Sequence, residues 1–437
     1  MDPQQNLEKG APHDEEKAMS TASEEPKPTP PHMSVPDEGT RAWLVVLGAM
    51  IINGCSFGYA SSFGVYQSFL SLGSPAYGHP ALLGDRTTSE ISWLGSIQLF
   101  FMFSGGLIAG ALFDRFGARV IMIPASFVYV LAIMFTSLCT EYWQFILAQI
   151  LGGFANGFLF SPAISVIGHY FAKKRGAALG LVAIGSSIGG VLIPISLESA
   201  FNSHVGFGWG VRGVGFVFAS LLAIACALIK ERLPPRKGRL FAPEALKQLS
   251  YVLVVMGVFF LIWGVFVVFF FLSDYAIVKI GTTTDLAFYL LSVLNGASLF
   301  GRLVFGILAD KAGTLTLLTL VAAVNSVMIF CWPSTSTEGG LIGWTIIFGF
   351  TSGGIFSLFP AGLAAVVPNP QFIGTYMGQA MAAFGIAGLT GSPIAGAIVS
   401  KYGFFPGAAF GGSALMAGAI CIAAARFVQQ PNLSIKA

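Results

Sequence analysis

Charge is what this sequence has least of. Asp, Glu, Lys and Arg supply 10% of its 437 residues, where a soluble domain carries about a quarter. Together with 55% hydrophobic residues and a mean hydropathy of +0.77, that scarcity excludes a soluble globular protein. The formal surplus of +3 is too small to hold nucleic acid, so no nucleic-acid partner is expected. Histidine and cysteine are scarce too, at five of each. His79, His169 and His204 fall near the ends of apolar runs, and His13 and His32 lie near the N-terminus. None has metal-ligand spacing, so neither metal nor cofactor is expected. Cys55, Cys139, Cys226, Cys331 and Cys421 each fall inside an apolar run and read as free thiols packed as small hydrophobes. No catalytic constellation appears, which argues against an enzyme. A cleavable signal peptide is also missing. Residues 1–40 are rich in Pro, Glu, Lys and Ser, which predicts a disordered cytoplasmic tail and leaves the first apolar run as an uncleaved targeting signal.

What fills the chain instead is a series of apolar runs, each near the 20 or so residues that cross a bilayer. Twelve can be placed, at 42–68, 90–112, 120–138, 143–168, 177–197, 211–229, 250–272, 286–308, 314–332, 341–366, 372–399 and 404–427. The fold class predicted is an all-α membrane protein with twelve transmembrane helices. Lys and Arg concentrate on one side of the runs, at Arg115, Arg119, Lys173, Lys174, Arg175, Lys230, Arg232, Arg236, Lys237, Arg239, Lys247, Lys311 and Arg426, against Arg86, Arg212, Lys279 and Lys401 on the other. The positive-inside rule then puts both termini in the cytoplasm, as expected of a multi-pass protein of the plasma membrane. Trp43, Trp93, Trp143, Trp209, Trp332 and Trp344 lie near run ends, where aromatic belts form, and Trp263 alone sits mid-run. The basic stretch 230–249 reads as a cytoplasmic linker between six-helix bundles at 41–229 and 250–428, with a short tail at 429–437.

The bundles look duplicated. Gly110-Ala-Leu-Phe-Asp-Arg-Phe-Gly-Ala-Arg119 sets a polar turn between two runs, and Gly306-Ile-Leu-Ala-Asp-Lys-Ala-Gly313 repeats its glycine, acidic, basic and glycine positions, 196 residues on. Ser161-Pro162-Ala163 recurs as Phe359-Pro360-Ala361, and Gly176 and Gly180 as Gly374 and Gly378, each 198 residues on. Internal repeats of this kind are the architecture of secondary transporters.

The stretch from Gly110 to Arg119 resembles the loop signature of the major facilitator superfamily, and its echo extends the resemblance to both halves. The resemblance implies two pseudo-symmetric bundles that give alternating access. It also implies gating roles for Gly110, Asp114, Arg115, Arg119 and Asp310, the acid capping or pairing with helix ends in one access state. Asp37-Glu38-Gly39-Thr40-Arg41-Ala42-Trp43 and Tyr170-Phe171-Ala172-Lys173-Lys174-Arg175-Gly176 resemble entries of the fungal monocarboxylate-porter-like group. The sequence departs by carrying Glu38 where that group has glycine. Gly185-Ser-Ser-Ile-Gly-Gly190 is similar to a glycine motif of drug and proton antiporters.

Arg302 is the charge lying deepest in any run, and a charge at that depth is expensive enough to suggest a function. Asn295 and Ser298 precede it by seven and four positions, on the same helical face. Arg302 could face a central cavity and meet an anion, or it could pair with backbone carbonyls between helices. In the first run, Asn53, Phe57, Ala60, Gly64 and Gln67 form a stripe that could line that cavity, and Trp263 is a further lining candidate. Animal members of the resembled group carry an aspartate one turn before this arginine and a lysine in the first helix. Here Ser298 holds the first place, and residues 42–70 contain no lysine. The expectation is therefore a monomeric transporter in the lipid bilayer that exports a small or medium organic anion or acidic metabolite. Proton-linked uptake of a monocarboxylate or nutrient is the alternative, and a non-transporting receptor is the alternative of another class. The runs carry no deep carboxylate, and whether protons are a coupling partner stays open.

Overall fold

The computed structural model describes residues 39–74, 77–232 and 242–430. Most of the expected tails at 1–40 and 429–437, and the middle of the linker 230–249, lie outside them. Among the described residues twelve helices are long and apolar enough to cross a membrane: α1 Thr40–Ser71, α2 Glu90–Phe116, α3 Ala118–Thr136, α4 Tyr142–His169, α5 Arg175–Phe201, α6 Gly206–Leu228, α7 Leu249–Ile280, α8 Tyr289–Ala312, α9 Thr314–Ser334, α10 Glu338–Ala365, α11 Pro370–Tyr402 and α12 Phe404–Gln429. Hydrocarbon leaves backbone groups no outside partner, so helices are the form such runs must take. No strand occurs among the described residues beyond one bridge between Ser74 and His79.

The expected spans hold except at three places. α6 begins at Gly206, before Arg212, and α7 runs on to Ile280 through a π turn at Ala276–Ile280. The expected polar turn at residues 113–119 is almost all helix. Asp114 and Arg115 ride the last turn of α2, and Gly117 alone, at φ 84°, makes the turn into α3. Gly313, at φ 88°, does the same between α8 and α9. Such a one-residue reversal requires the positive φ that glycine adopts without strain.

Two pairings recur under a six-helix shift: α2 packs on α4 as α8 does on α10, and α2 packs on α11 as α8 does on α5. Lipid tails are as apolar as leucine, so close van der Waals packing holds such helices together. A Cβ on Gly110 would stand 2.0 Å from Gly374 O, and one on Gly176 would stand 2.6 Å from Gly306 O. The motif Gly185–Gly190 serves contact with α1: a Cβ on Gly185 would stand 1.9 Å from Met50 O.

The helix ends divide into a basic end and an opposite end. At the basic end Arg175 Nη1 donates to Ala364 O at 3.0 Å and Gln248 Nε2 to Val366 O at 2.8 Å. At the opposite end Tyr142 Oη donates to Glu90 O at 2.7 Å and Tyr275 Oη to Thr335 O at 2.7 Å. Trp43, Trp93, Trp143 and Trp209 are exposed near helix ends, as a belt requires. Trp332 and Trp344 are buried and stack on each other at 5.7 Å, so these two pack the interior and leave the belt. Cys55, Cys139 and Cys226 are buried, whereas Cys331 is exposed and Cys421 half-buried.

Candidate functional site

The repeated acids cap partner helices in matching fashion. Asp114 accepts from Gly374 N at 3.1 Å, Thr375 N at 2.7 Å and Thr375 Oγ1 at 2.6 Å. These amides belong to the first turn of the helix Ile373–Tyr402 within α11, where N–H groups have no partner inside the helix and the dipole favours an anion. Asp310 accepts from Gly176 N at 2.7 Å and Ala177 N at 3.0 Å, in the first turn of α5. The last turn of α2 thus holds α11, and the last turn of α8 holds α5. Asp114 is buried, and Gly110 admits the close approach of α11 one turn earlier.

The two arginines of the motif do other things. Arg119 donates from Nε to Ile229 O at 2.7 Å and from Nη2 to Ala227 O at 2.8 Å. It thereby closes the C-terminal end of α6 and stays among the first six helices. Arg115 is exposed, its guanidinium 5.3 Å from the ring of its neighbour Phe116. Among the described residues neither forms a hydrogen bond or ion pair with α11.

Midway along the bundle lies an apolar cavity of about 30 Å³, bounded by α1, α2, α4, α5, α7 and α10. That is room for a water or two, far below the several hundred Å³ of a site filled by an organic ligand. The structure is contracted about its centre. Phe57 fills the middle, 5.5 Å from the Phe356 ring, 6.4 Å from Phe103 and Phe160, and 6.5 Å from Phe266. Asn53 and Ser186 are the polar side chains of the wall. Asn53 Nδ2 donates to Val182 O at 3.1 Å, and its Oδ1 is buried without a partner.

Of the predicted stripe on α1, Asn53 and Phe57 line this cavity and Ala60, Gly64 and Gln67 do not. A π turn at Gly54–Gly58, anchored by Tyr129 Oη on Cys55 O at 2.9 Å, breaks the 3.6-residue period after Asn53. Trp263 also departs from expectation. It faces away, donating from Nε1 to Thr390 Oγ1 at 3.1 Å and packing on Phe259 and Phe410.

Arg302 stands one layer behind the wall, fully buried between α8 and α5. Its Nη1 donates to Ala183 O at 2.5 Å and to Ser186 Oγ, its guanidinium lies 5.2 Å over the Phe356 ring, and its Nε has no partner. Among the described residues no carboxylate forms an ion pair with it. The carbonyl pairing foreseen as the alternative is thus present, and three of its contacts, Ala183, Ser186 and Phe356, are themselves cavity wall. Asn295 donates to Leu291 O of its own helix at 3.0 Å and abuts Gly190 of α5, and Ser298 Oγ is buried without a partner against Gly353. The three residues share a buried face, as their spacing required, and that face meets α5 and α10 outside the cavity.

Sequence reasoning passed over Phe103, Phe160, Ala183, Phe266 and Phe356 as wall residues. The repeated proline motif held a signal: Phe359 and Pro360 of its second copy line the cavity.

Comparison with known proteins agrees with this architecture. The description of the Major Facilitator Superfamily matches residues 42–379. The chain is 44% identical over 381 residues to the aspyridones efflux protein apdF of Emericella nidulans, covering 87% of this chain and 76% of that one. It is 37% identical over 402 residues to the agnestins efflux protein AgnL12 of Paecilomyces divaricatus, covering 91% and 90%. The solved structure of human MFSD10 (TETRAN) superposes with a TM-score of 0.69 at 14% identity, over 90% of this chain and all of that one.

Proposed function

The chain belongs to the Major Facilitator Superfamily, and from that premise we propose that it exports an amphipathic acidic secondary metabolite across the plasma membrane by alternating access. It is a multi-pass membrane protein and a transporter, not an enzyme. Relatives named as efflux proteins of aspyridones and agnestins support the direction and the class of cargo. In this reading six-helix bundles at 41–229 and 250–428 rock about the central cavity, the basic end faces the cytoplasm, one chain suffices, and the kinship is with fungal monocarboxylate-porter-like proteins. Asp114 and Asp310 lock the basic end shut by their caps, and both locks open when α2 leaves α11 and α5 leaves α8.

The observation that carries the reading is Arg302, a buried cation bonded to neutral groups at the edge of an aromatic chamber. Such a charge is costly deep in a membrane protein. Two hydrogen bonds and a ring face offset that cost by about 1.5 to 3 kcal/mol per bond and about 2 for the ring. When α5 parts from α8 these donors turn to the chamber, where a carboxylate, enolate or similar anion replaces Ala183 O and Ser186 Oγ. The phenylalanines around Phe57 separate to take the apolar body of the substrate. A sugar would need many convergent polar groups, and this wall has two.

The test is retention of a panel of organic acids by cells expressing wild type, Arg302→Ala or Arg302→Gln. Export predicts faster loss of at least one acid from wild-type cells than from empty ones, with the excess abolished in both variants at normal surface expression. Faster uptake at low external pH would replace export with proton-linked import. Binding without flux would replace the transporter with a receptor.

A further inference from the structure

An open pocket of about 620 Å³ lies at the basic end, between the starts of α1 and α3, the loop after α4 and the segment leaving α6. It is lined by Arg41, Arg119, Tyr170, Lys230, Glu231 and Arg232, four cations against one carboxylate. The surplus at this one place equals the +3 of the whole chain. Arg119 is oriented by the carbonyls of Ile229 and Ala227, and Arg232 Nη1 donates to His169 O at 3.2 Å. Bonds to carbonyls fix a guanidinium without neutralising it, and Arg119 uses two of its five N–H donors on them. Tyr170 Oη donates to Lys230 O at 2.8 Å and fixes the backbone that carries Lys230. Burial lifts the Tyr170 phenol above its usual value, against the pull of Arg41, which keeps that donor protonated. Among the described residues no ion pair joins Arg41, Arg119 or Lys230 to a carboxylate. Trp43, one turn or less from Arg41, is 38% exposed and packs at 5.1 Å on Phe171. An exposed tryptophan there marks the depth of lipid headgroups.

We propose that this pocket binds a multiply phosphorylated ligand at the basic end, apart from the central chamber. Forked guanidiniums match phosphate oxygens bidentately, and the pocket is much larger than one phosphate group. Glu231 repels any anion, so a single charge gains little there. A ligand with two or more phosphates reaches cations on several walls at once. Because the walls come from α1, α3, α6 and the loop after α4, such a ligand ties these helix ends together. The same chemistry is offered by a phosphoinositide headgroup and by a soluble polyphosphate.

The experiment uses the full chain in phosphatidylcholine nanodiscs, with binding measured for a short-chain phosphoinositide bisphosphate, inositol trisphosphate, pyrophosphate and phosphatidylserine. Saturable binding of the phosphorylated probes is expected, loosening about fivefold for each cation removed in Arg41→Gln and Lys230→Gln and roughly 25-fold in the pair. Glu231→Gln is expected to tighten binding by a similar single factor, a gain that misfolding cannot produce. Equal affinity for the lipid and for inositol trisphosphate would assign a soluble ligand; affinity for the lipid alone would assign a headgroup. Phosphatidylserine binding as tightly as the bisphosphate, or affinities unmoved by all three substitutions, overturns the proposal. The readout is binding, so it stands or falls independently of the transport assay.

Discussion

Replacing Asp114 by Asn should unlock the basic end between α2 and α11. The carboxylate takes three hydrogen bonds from Gly374 and Thr375. Asn keeps one acceptor oxygen and turns an NH₂ group on the remaining donors. A hydrogen bond to a charged partner exceeds a neutral one by about 1 kcal/mol. Losing the negative charge at the start of the helix Ile373–Tyr402 removes about 1 more. Counting the three bonds at about 1 kcal/mol each and the helix end at about 1, the closed pairing weakens by about 4 kcal/mol, roughly a thousandfold in the ratio of closed to open chains. The shift is readable by electron-electron resonance between spin labels at Phe116→Cys and Pro368→Cys, both exposed positions at the basic end, in a chain whose five cysteines have been replaced. Wild type should give one short distance, and Asp114→Asn should add a longer component or shift to it. Asp310→Asn should act on the α5–α8 side in the same sense, and the double variant should open further than either. An unchanged distance distribution in all three variants would refute the idea that these caps hold the closed state.

Gly110→Ala should lower transport by roughly tenfold or more at normal protein levels, because its Cβ would meet Gly374 O at 2.0 Å and force apart helices that approach through small residues. Gly296→Ala on α8, whose Cβ would meet nothing within 4 Å, is the control expected to transport as wild type. Phe356→Leu should change the KM of the exported acid several-fold through loss of the ring under Arg302. Trp263→Phe, which removes the bond to Thr390 and trims a ring packed on Phe259 and Phe410 away from the cavity, should leave KM unchanged and cost about 1 to 2 kcal/mol of thermal stability; equal effects of these two substitutions on KM would contradict the placement of the cavity wall.

The helix count was legible because hydrocarbon imposes a minimum run of apolar residues, and the sequence meets it twelve times. The acids at Asp114 and Asp310 were legible as a repeat, and their caps follow from the same chemistry acting twice. Which side of each helix faces the chamber was much less legible. In a soluble helix a polar stripe reveals the outer face, but lipid and protein interior are equally apolar, so α7 and α10 carry apolar residues all round. Trp263 and Phe266 are one turn apart on α7, and only packing sends one toward Thr390 and the other to Phe57. The stripe on α1 failed for a second reason: an extra residue in the π turn at Gly54–Gly58 shifts everything after it, and Tyr129 reaches across from α3 to bond a carbonyl of that turn.

The duplication that places Asp114 and Asp310 in matching caps does not extend to the buried cation. The same offset of 196 residues puts Gly106 where α8 has Arg302. A Cβ on Gly106 would meet Met381 Sδ at 3.1 Å and Ser161 Cβ at 3.4 Å, so methionine and serine pack where α8 has its guanidinium. On α8, eight residues or about 12 Å of helix separate Arg302 from Asp310, and both bond to α5, through Ala183 and Ser186 in one case and Gly176 and Ala177 in the other. A rigid helix leaving α5 must break both sets together. In the closed arrangement the donors of Arg302 are met by α5; in the parted one they need an acceptor, and an anion in the chamber supplies it. In the proposed cycle the substrate therefore acts on the equilibrium through the α5–α8 interface. The α2–α11 interface, which carries a cap and has Gly106 at the place of the buried cation, sets the resting position against which the substrate works.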